Sequence, residues 1–401
     1  MNPVDIIYLF FSVIVLYFSF LFLMLFFRNR SRLAVIPKVS KLQSVSIIIP
    51  AHNEARSIAS TIRNIKALNY PKRLLDITVV DDGSSDETAA RALAAGVKVI
   101  RQKKSGKAAA LNNGIRHARG ELVACIDADS YPERDALMKI VPFFEDETVG
   151  AVTAQIFVKN AKGMIGKLQA VEYAMIAWTR KLSEYVDGIY ATPGPLSLFR
   201  RSVLNKLGGF DEKNATEDIE IAWRFLDNGY KIKMSPARTW TCAPERWRRW
   251  IRQRVRWNVG GIQTSSKYRS SLFKRGSGTF GFFVLPFFTL SYAFSMIAMS
   301  LFTYLIYIWI YSNVTFIIAA INAGLNPFTM QFWPLVDIFV IFGMLMFGLS
   351  VTTLCAGLRG NVKGSLKNAF YTGIYMTVYI TVFPFLLAYS LIKYAQGYRE
   401  W

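Results

Sequence analysis

Cysteine and histidine are scarce in this 401-residue chain, which has three Cys and two His. Cys125, Cys242 and Cys355 lie far apart, so there is no disulfide framework and no CxxC pair. His52 and His117 are equally isolated, which excludes a zinc site of the usual Cys/His kind. Any metal here must be a hard cation held by oxygen. Basic residues are missing from two long stretches. Residues 1–27 contain no Lys or Arg and one acid, Asp5; residues 276–358 contain no Lys or Arg and one acid, Asp337. The formal net charge is nevertheless +21, because most of the 48 basic residues crowd into residues 28–278. A hydrophobic share of 52% excludes a disordered chain. Apolar ends around a basic block are the composition of a membrane protein with an inserted soluble domain.

The apolar ends read as membrane spans. Ile6–Phe27 has no charge and is about as long as a bilayer core requires. A cleaved signal peptide carries its positive charge before the apolar run. Here Arg28, Arg30 and Arg32 follow it. That order predicts an uncleaved anchor, residues 1–27, with the N-terminus outside and the following block cytoplasmic. Three more spans are expected in residues 279–401, over Thr279–Tyr311, Pro334–Leu358 and Tyr371–Leu391. The first exceeds one untilted span, so either Pro286 kinks it or its first turns lie in the interface. If Val314–Ile321 belongs to a further span, the side of the C-terminus reverses. The expected location is the plasma membrane, multi-pass, with the middle block in the cytoplasm.

Residues 28–243 read as an α/β domain. Val45–Pro50, Asp76–Val80, Gly96–Ile100 and Glu121–Ile126 are short β-rich apolar runs. Helical segments separate them, over Glu54–Leu68, Asp86–Ala95 and Lys107–Arg119. Runs apolar on both faces suit buried parallel strands, and the alternation predicts an open parallel sheet with helices on both faces. Ligands bind such sheets at the carboxyl ends of the strands. The polar motifs fall there: Pro50-Ala-His-Asn-Glu54, Asp81-Asp-Gly-Ser-Ser-Asp86 and Asp127-Ala-Asp129. Each alone could be a turn or a cap, with Asp86 as N-cap. Three acidic motifs converging on one edge repel one another unless a cation or ligand compensates. Ser105-Gly-Lys107 opens a helix, a setting that suits a phosphate oxygen, though the spacing is not that of a P-loop.

Two more motifs follow. Thr216-Glu-Asp218 begins an amphipathic helix over Asp218–Asn228, and capping by Thr216 is its bland reading. Gln253-Arg-Val-Arg-Trp257 has the QxxRW pattern, with Gln253, Arg256 and Trp257 on one helix face. It lies in an Arg- and Trp-rich segment, residues 244–278, that reads as an interfacial helix with one face on anionic lipid. Another amphipathic helix is expected over Ala161–Tyr185, with Tyr173 packing rather than binding.

With these five motifs in this order, the sequence resembles the membrane-embedded family 2 glycosyltransferases that build chitin, cellulose, hyaluronan, poly-N-acetylglucosamine and rhizobial chitooligosaccharides. Gly194-Pro-Leu-Ser-Leu-Phe-Arg-Arg201 is similar to an acceptor-site segment of hyaluronan synthases. The resemblance implies a GT-A-like fold, a nucleotide-sugar donor such as a UDP-sugar, Mg2+ or Mn2+, and inversion at the anomeric carbon. It implies that Glu54 and Asp82 hold the nucleoside, Lys107 lies near the diphosphate or base, and Asp127 and Asp129 hold the metal. It implies Asp218 as general base, with Glu217, Gln253, Arg256 and Trp257 serving the acceptor or diphosphate. A carboxylate can accept from uracil or ribose, Trp257 can stack on a sugar, and Arg256 can pair with phosphate. The expected acceptor is a growing polysaccharide secreted at the membrane, alongside contact with lipid. Single-sugar transfer to a polyprenyl phosphate or glycolipid is the alternative. A nucleic-acid binder is not expected, because the basic block follows from the positive-inside bias. A transporter is disfavoured by the lack of intramembrane charge beyond Asp337. An inactive scaffold is disfavoured because every motif keeps its acids.

Overall fold

The structure is a computed structural model that describes residues 3–326 and 366–398, with short helical pieces among residues 344–357. The chain begins with helix α1 (Pro3–Asn29). An α/β segment follows in the order β1 (Val45–Ala51), α2 (Ile58–Lys66), β2 (Leu75–Asp82), α3 (Thr88–Ala94), β3 (Lys98–Gln102), α4 (Lys107–His117), β4 (Leu122–Cys125). Next come β5 (Tyr131–Pro132), α5 (Ala136–Ile140), β6 (Val149–Val158), α6 (Gly163–Ser183), β7 (Ser197–Arg200), α7 (Arg201–Lys206), α8 (Glu217–Asp227) and β8 (Lys231–Thr241). Helix α9 (Trp247–Lys267) leads to the membrane region, α10 (Leu285–Asn322) and α11 (Leu366–Ala395).

One eight-stranded sheet has the order β3-β2-β1-β4-β7-β6-β8-β5. Strands β1 to β4 pair in parallel, as their continuous apolar runs predict. The expectation of a wholly parallel sheet is corrected beyond β4. There β7 runs antiparallel to β4 and β6, and β5 antiparallel to β8. The chain leaves β6 at its carboxyl end and, after α6, enters β7 from that same end, where Ser197 pairs with Cys125 of β4 and Thr153 of β6. The two-residue side-chain period splits β1 between two cores. Ile48 joins Val80, Leu111, Val123 and Phe199 on one face, while Ile47 and Ile49 join Ile58, Ile62 and Val79 on the other. With both faces covered, the open approach is from the strand ends. The order reverses between β1 and β4, which opens a crevice at their carboxyl ends.

Among the described residues, two helices are long and apolar enough to cross a membrane, Ile6–Asn29 and Phe280–Asn322. A third candidate is the pair Phe370–Thr377 and Thr381–Ala395, bent by 41°. The bend lies one turn before Pro384, which cannot donate to the carbonyl of residue 380. The expected span over Thr279–Tyr311 is longer in the structure: Val314–Ile321 continue the same helix. Pro286 does not kink it midway. It sits at the start of α10, after a π-helical turn over Phe280–Val284, where a missing N–H is tolerated. The expected span Pro334–Leu358 lies largely outside the described residues. Helix α1 packs on α10 through Phe11–Phe294 and Phe18–Phe287, with ring centroids 5.0 and 4.8 Å apart. It meets α6 through Phe26 and Trp178.

Candidate active site

Asp82 builds the first wall of the crevice. Its Oδ1 accepts from Gln102 Nε2 and from the Ser105 N–H, both at 2.8 Å, and its Oδ2 accepts from the Gly106 N–H at 2.8 Å. Gly106 can serve as the residue before α4 because it adopts φ +98°, open to glycine. Asp82 therefore ties the end of β2 to the start of α4. The carboxylate is buried, and three of its roughly four acceptor positions serve the protein, which leaves one for a ligand.

That anchor aims Lys107, the first residue of α4. Its Nζ lies 2.6 Å from Asp127 Oδ1 at the end of β4 and 3.2 Å from Glu217 Oε1 at the start of α8. Burial alone would push the ammonium down, but Asp127 and Glu217 outweigh it and hold Lys107 firmly protonated. The mirror effect appears at Glu217. Burial raises its carboxyl, yet Lys107 and Arg256 prevail and keep it below the usual carboxylate range. Gly194 makes room for this bridge. A Cβ there would lie 2.4 Å from Lys107 Nζ and 2.5 Å from Asp127 Oδ1. Its carbonyl also accepts from the Asp127 N–H at 3.0 Å. Gly194→Ala is expected to leave the melting temperature unchanged, since flexible side-chain ends can yield, while displacing the bridge and lowering transfer about 10²-fold. Parallel melting curves and rates check this.

Asp129 stands behind Asp127. Burial, then Asp127 and Glu54, push it up to about 6, against the hydrogen bond it accepts from Thr241 Oγ1 at 3.2 Å. Glu54 is raised too, by burial first, then by Asp127 and Asp86, although Ser57 donates to it. The three carboxylates thus share one field, which a cation would relieve. Among the described residues no three side chains form a complete metal cage. Asp127 and Asp129 fit a cation only if donor oxygens complete its shell.

Asp218 follows Glu217 on α8. Thr216 precedes the helix, but its side chain makes no capping bond. The simple capping reading of this motif is therefore corrected. Asp218 is pushed up to about 6 by burial and by Glu217, with Lys107, Arg256 and Arg180 pulling the other way. Its backbone carbonyl accepts from the N–H and Oγ1 of Thr192, each at 3.1 Å. Asp86, by contrast, does act at a helix start, accepting from the Thr88 N–H at 3.0 Å.

The QxxRW residues enter from α9. Its first turns expose Trp247, Arg248, Arg249, Ile251 and Arg252 as a basic outer surface, while Trp250, Arg254, Val255 and Val259 are buried. Trp257 is half-buried; its ring lies 6.5 Å from Tyr173 and 4.1 Å from the Arg254 guanidinium. Arg254 pairs with Glu172 of α6 in a buried ion pair and donates to Gln253 Oε1 at 3.2 Å. So the motif's second residue, passed over in the sequence, locks α9 to α6. Tyr173, expected only to pack, does pack its ring at a tilt against Trp257, but it also lies within the field of Asp129 and Asp127.

The comparisons fit this geometry. Residues 46–208 match the family described as Glycosyl transferase family 2. The chain carries a family 2 glycosyltransferase domain. Over 233 residues it is 36% identical to poly-beta-1,6-N-acetyl-D-glucosamine synthase of Staphylococcus aureus, a match covering 56% of this chain and 56% of that protein. The matched stretch thus spans about half the length of such relatives. Among solved structures, the mannosyltransferase PcManGT from Pyrobaculum calidifontis, in complex with GDP-Man and Mn2+, aligns over 97% of this chain and 99% of its own, with a TM-score of 0.62. At 20% identity that likeness concerns the fold: a GT-A-like α/β domain with apolar helices at both ends of the chain.

Proposed function

We propose that this enzyme transfers a sugar from a nucleotide-sugar, a UDP-sugar, to the hydroxyl end of a growing polysaccharide at the membrane, with inversion and with secretion of the polymer. The observation that carries the proposal is Asp218: a partly exposed acid at the start of α8, beside Glu217, which Lys107 ties to Asp127 across the crevice. A group that titrates near 6 is mostly ionised at neutral pH yet basic enough to take a proton. Asp218 takes the proton from the acceptor hydroxyl as that oxygen attacks C1 of the sugar. The bond to the diphosphate breaks on the opposite face, which inverts the carbon. Lys107 and Arg256 hold phosphate oxygens, Trp257 carries the acceptor sugar, and Glu54 with the last free position of Asp82 meets the nucleoside. A Mg2+ or Mn2+ ion held by Asp129 and Asp127 would neutralise the departing diphosphate. Glu217 keeps Lys107 in place. The basic outer face of α9 suits anionic lipid, and the run of charge after α1 suits a cytoplasmic catalytic domain in the plasma membrane.

Chelation tests the metal. EDTA should abolish release of nucleoside diphosphate from a UDP-sugar, and Mn2+ or Mg2+ should restore it, whereas Asp129→Asn should not be restored. Full activity in chelator would reduce Asp127 and Asp129 to a strand-end turn.

A further inference from the structure

Arg180 is a buried cation that the mechanism above leaves unused. It is 5% exposed, near the end of α6. Among the described residues no hydrogen bond or ion pair reaches it, and its Nε is buried without a partner. Burial of a lone guanidinium is unfavourable, and it weakens the hold on its proton here, offset only in part by Tyr190, Asp218 and Tyr173. A fold keeps such a group when something outside the chain completes it.

Its surroundings say what that is. Tyr173 and Arg180 are seven residues apart on α6, hence on one face. The other face carries Trp178 and Leu182, which pack against Leu25 of α1. Tyr190 packs at a tilt against Phe288 of α10, with centroids 5.4 Å apart. Arg180 therefore lies in the layer between the membrane helices and Asp218. Lys107 is already matched by Asp127 and Glu217. Asp218 then feels two further cations from two different helices, Arg256 and Arg180, and is ion-paired to neither among the described residues. Neither guanidinium has an ion-pair partner among the described residues, so each keeps donors for an oxygen anion from outside the chain. The planar fork of Arg suits a phosphate oxygen better than a neutral sugar hydroxyl.

We infer that Arg180 is a binding residue for a phosphate group on the α6 side of Asp218, supplied by the nucleoside diphosphate or by a lipid-linked acceptor. The inference rests on the reading of Asp218 as the acceptor-side acid. Both sources can reach the position, one from the donor crevice and one from the membrane layer.

The test uses the full chain in lipid nanodiscs, with UDP and a polyprenyl phosphate as separate probes, and the variants Arg180→Met and Arg180→Lys. Arg180→Met should bind one probe about ten- to a hundred-fold more weakly, with Arg180→Lys intermediate. Without ligand, Arg180→Met should melt no lower than the wild type, because it removes an unmatched charge. Weakened UDP binding assigns the phosphate to the donor; weakened polyprenyl phosphate binding assigns it to a lipid. Wild-type affinity for both probes in Arg180→Met overturns the inference, and a lower melting temperature with those affinities marks a packing residue. If the wild type binds neither probe, the reading of the whole site falls with it.

Discussion

Asp218→Asn is expected to lower sugar transfer about 10²–10⁴-fold, the usual loss when a general base is removed. Asn keeps the shape of Asp and can accept from the Ile219 N–H, as Asp218 Oδ1 does at 3.0 Å. It cannot take a proton. The donor side, built on Lys107, Asp127 and Asp129, should be untouched, so UDP affinity and melting should match the wild type. The pH profile adds a second reading. At saturating donor and metal, the wild-type rate should rise with pH through about 6 as Asp218 ionises. The residual rate of the variant should lack that rise. Glu217 is the rival base, one residue away. Adjacent residues on a helix point about 100° apart, and Glu217 is directed at Lys107. A Glu217→Gln variant that is dead beside an active Asp218→Asn would reverse the assignment. If both remain active, the acid pair is only a helix start.

Lys107→Met should damage both stability and transfer. It leaves Asp127 and Glu217 facing each other without their shared cation. Removing one partner of a fully buried pair costs about 3–5 kcal/mol. Lys107 and Asp127 are about a quarter exposed here, while Glu217 is buried, so a loss near the low end, about 3 kcal/mol, is expected. The sign of the pH dependence follows from Glu217. Lys107 depresses its folded-state pKa, so the pair's stabilisation is present above the ordinary carboxylate range and is lost as pH falls through the depressed value. The variant's deficit should therefore be largest at neutral pH and shrink in acid. Thermal melts of detergent-solubilised protein at neutral and acidic pH measure it. An equal deficit at both would mean that lost packing, not charge, is responsible. Transfer should fall even where the variant is folded, since α4 no longer presents a cation.

The local sequence was enough for everything that depends on neighbours along the chain. Four parallel strands, the edge strand β3 only half-buried, follow from apolar runs such as Val45–Pro50, which alternate with helical segments. Two of the expected spans follow from long stretches without charge. The acidic motifs fell at strand ends, and the fold brought Glu54, Asp127 and Asp129 into one field. What the sequence could not show is how each side chain is used. Asp82 holds a loop, Arg254 locks two helices, Gly194 clears space under an ion pair, and the Arg180 side chain has no partner among the described residues. The direction of β7 was hidden as well. These depend on partners as far as 110 residues apart, such as Lys107 and Glu217, and on the angles at which helices cross the sheet. A charged residue carries no local mark of burial or of its partner. Only packing removes the water and so decides whether a carboxylate binds a ligand, a lysine or its own backbone.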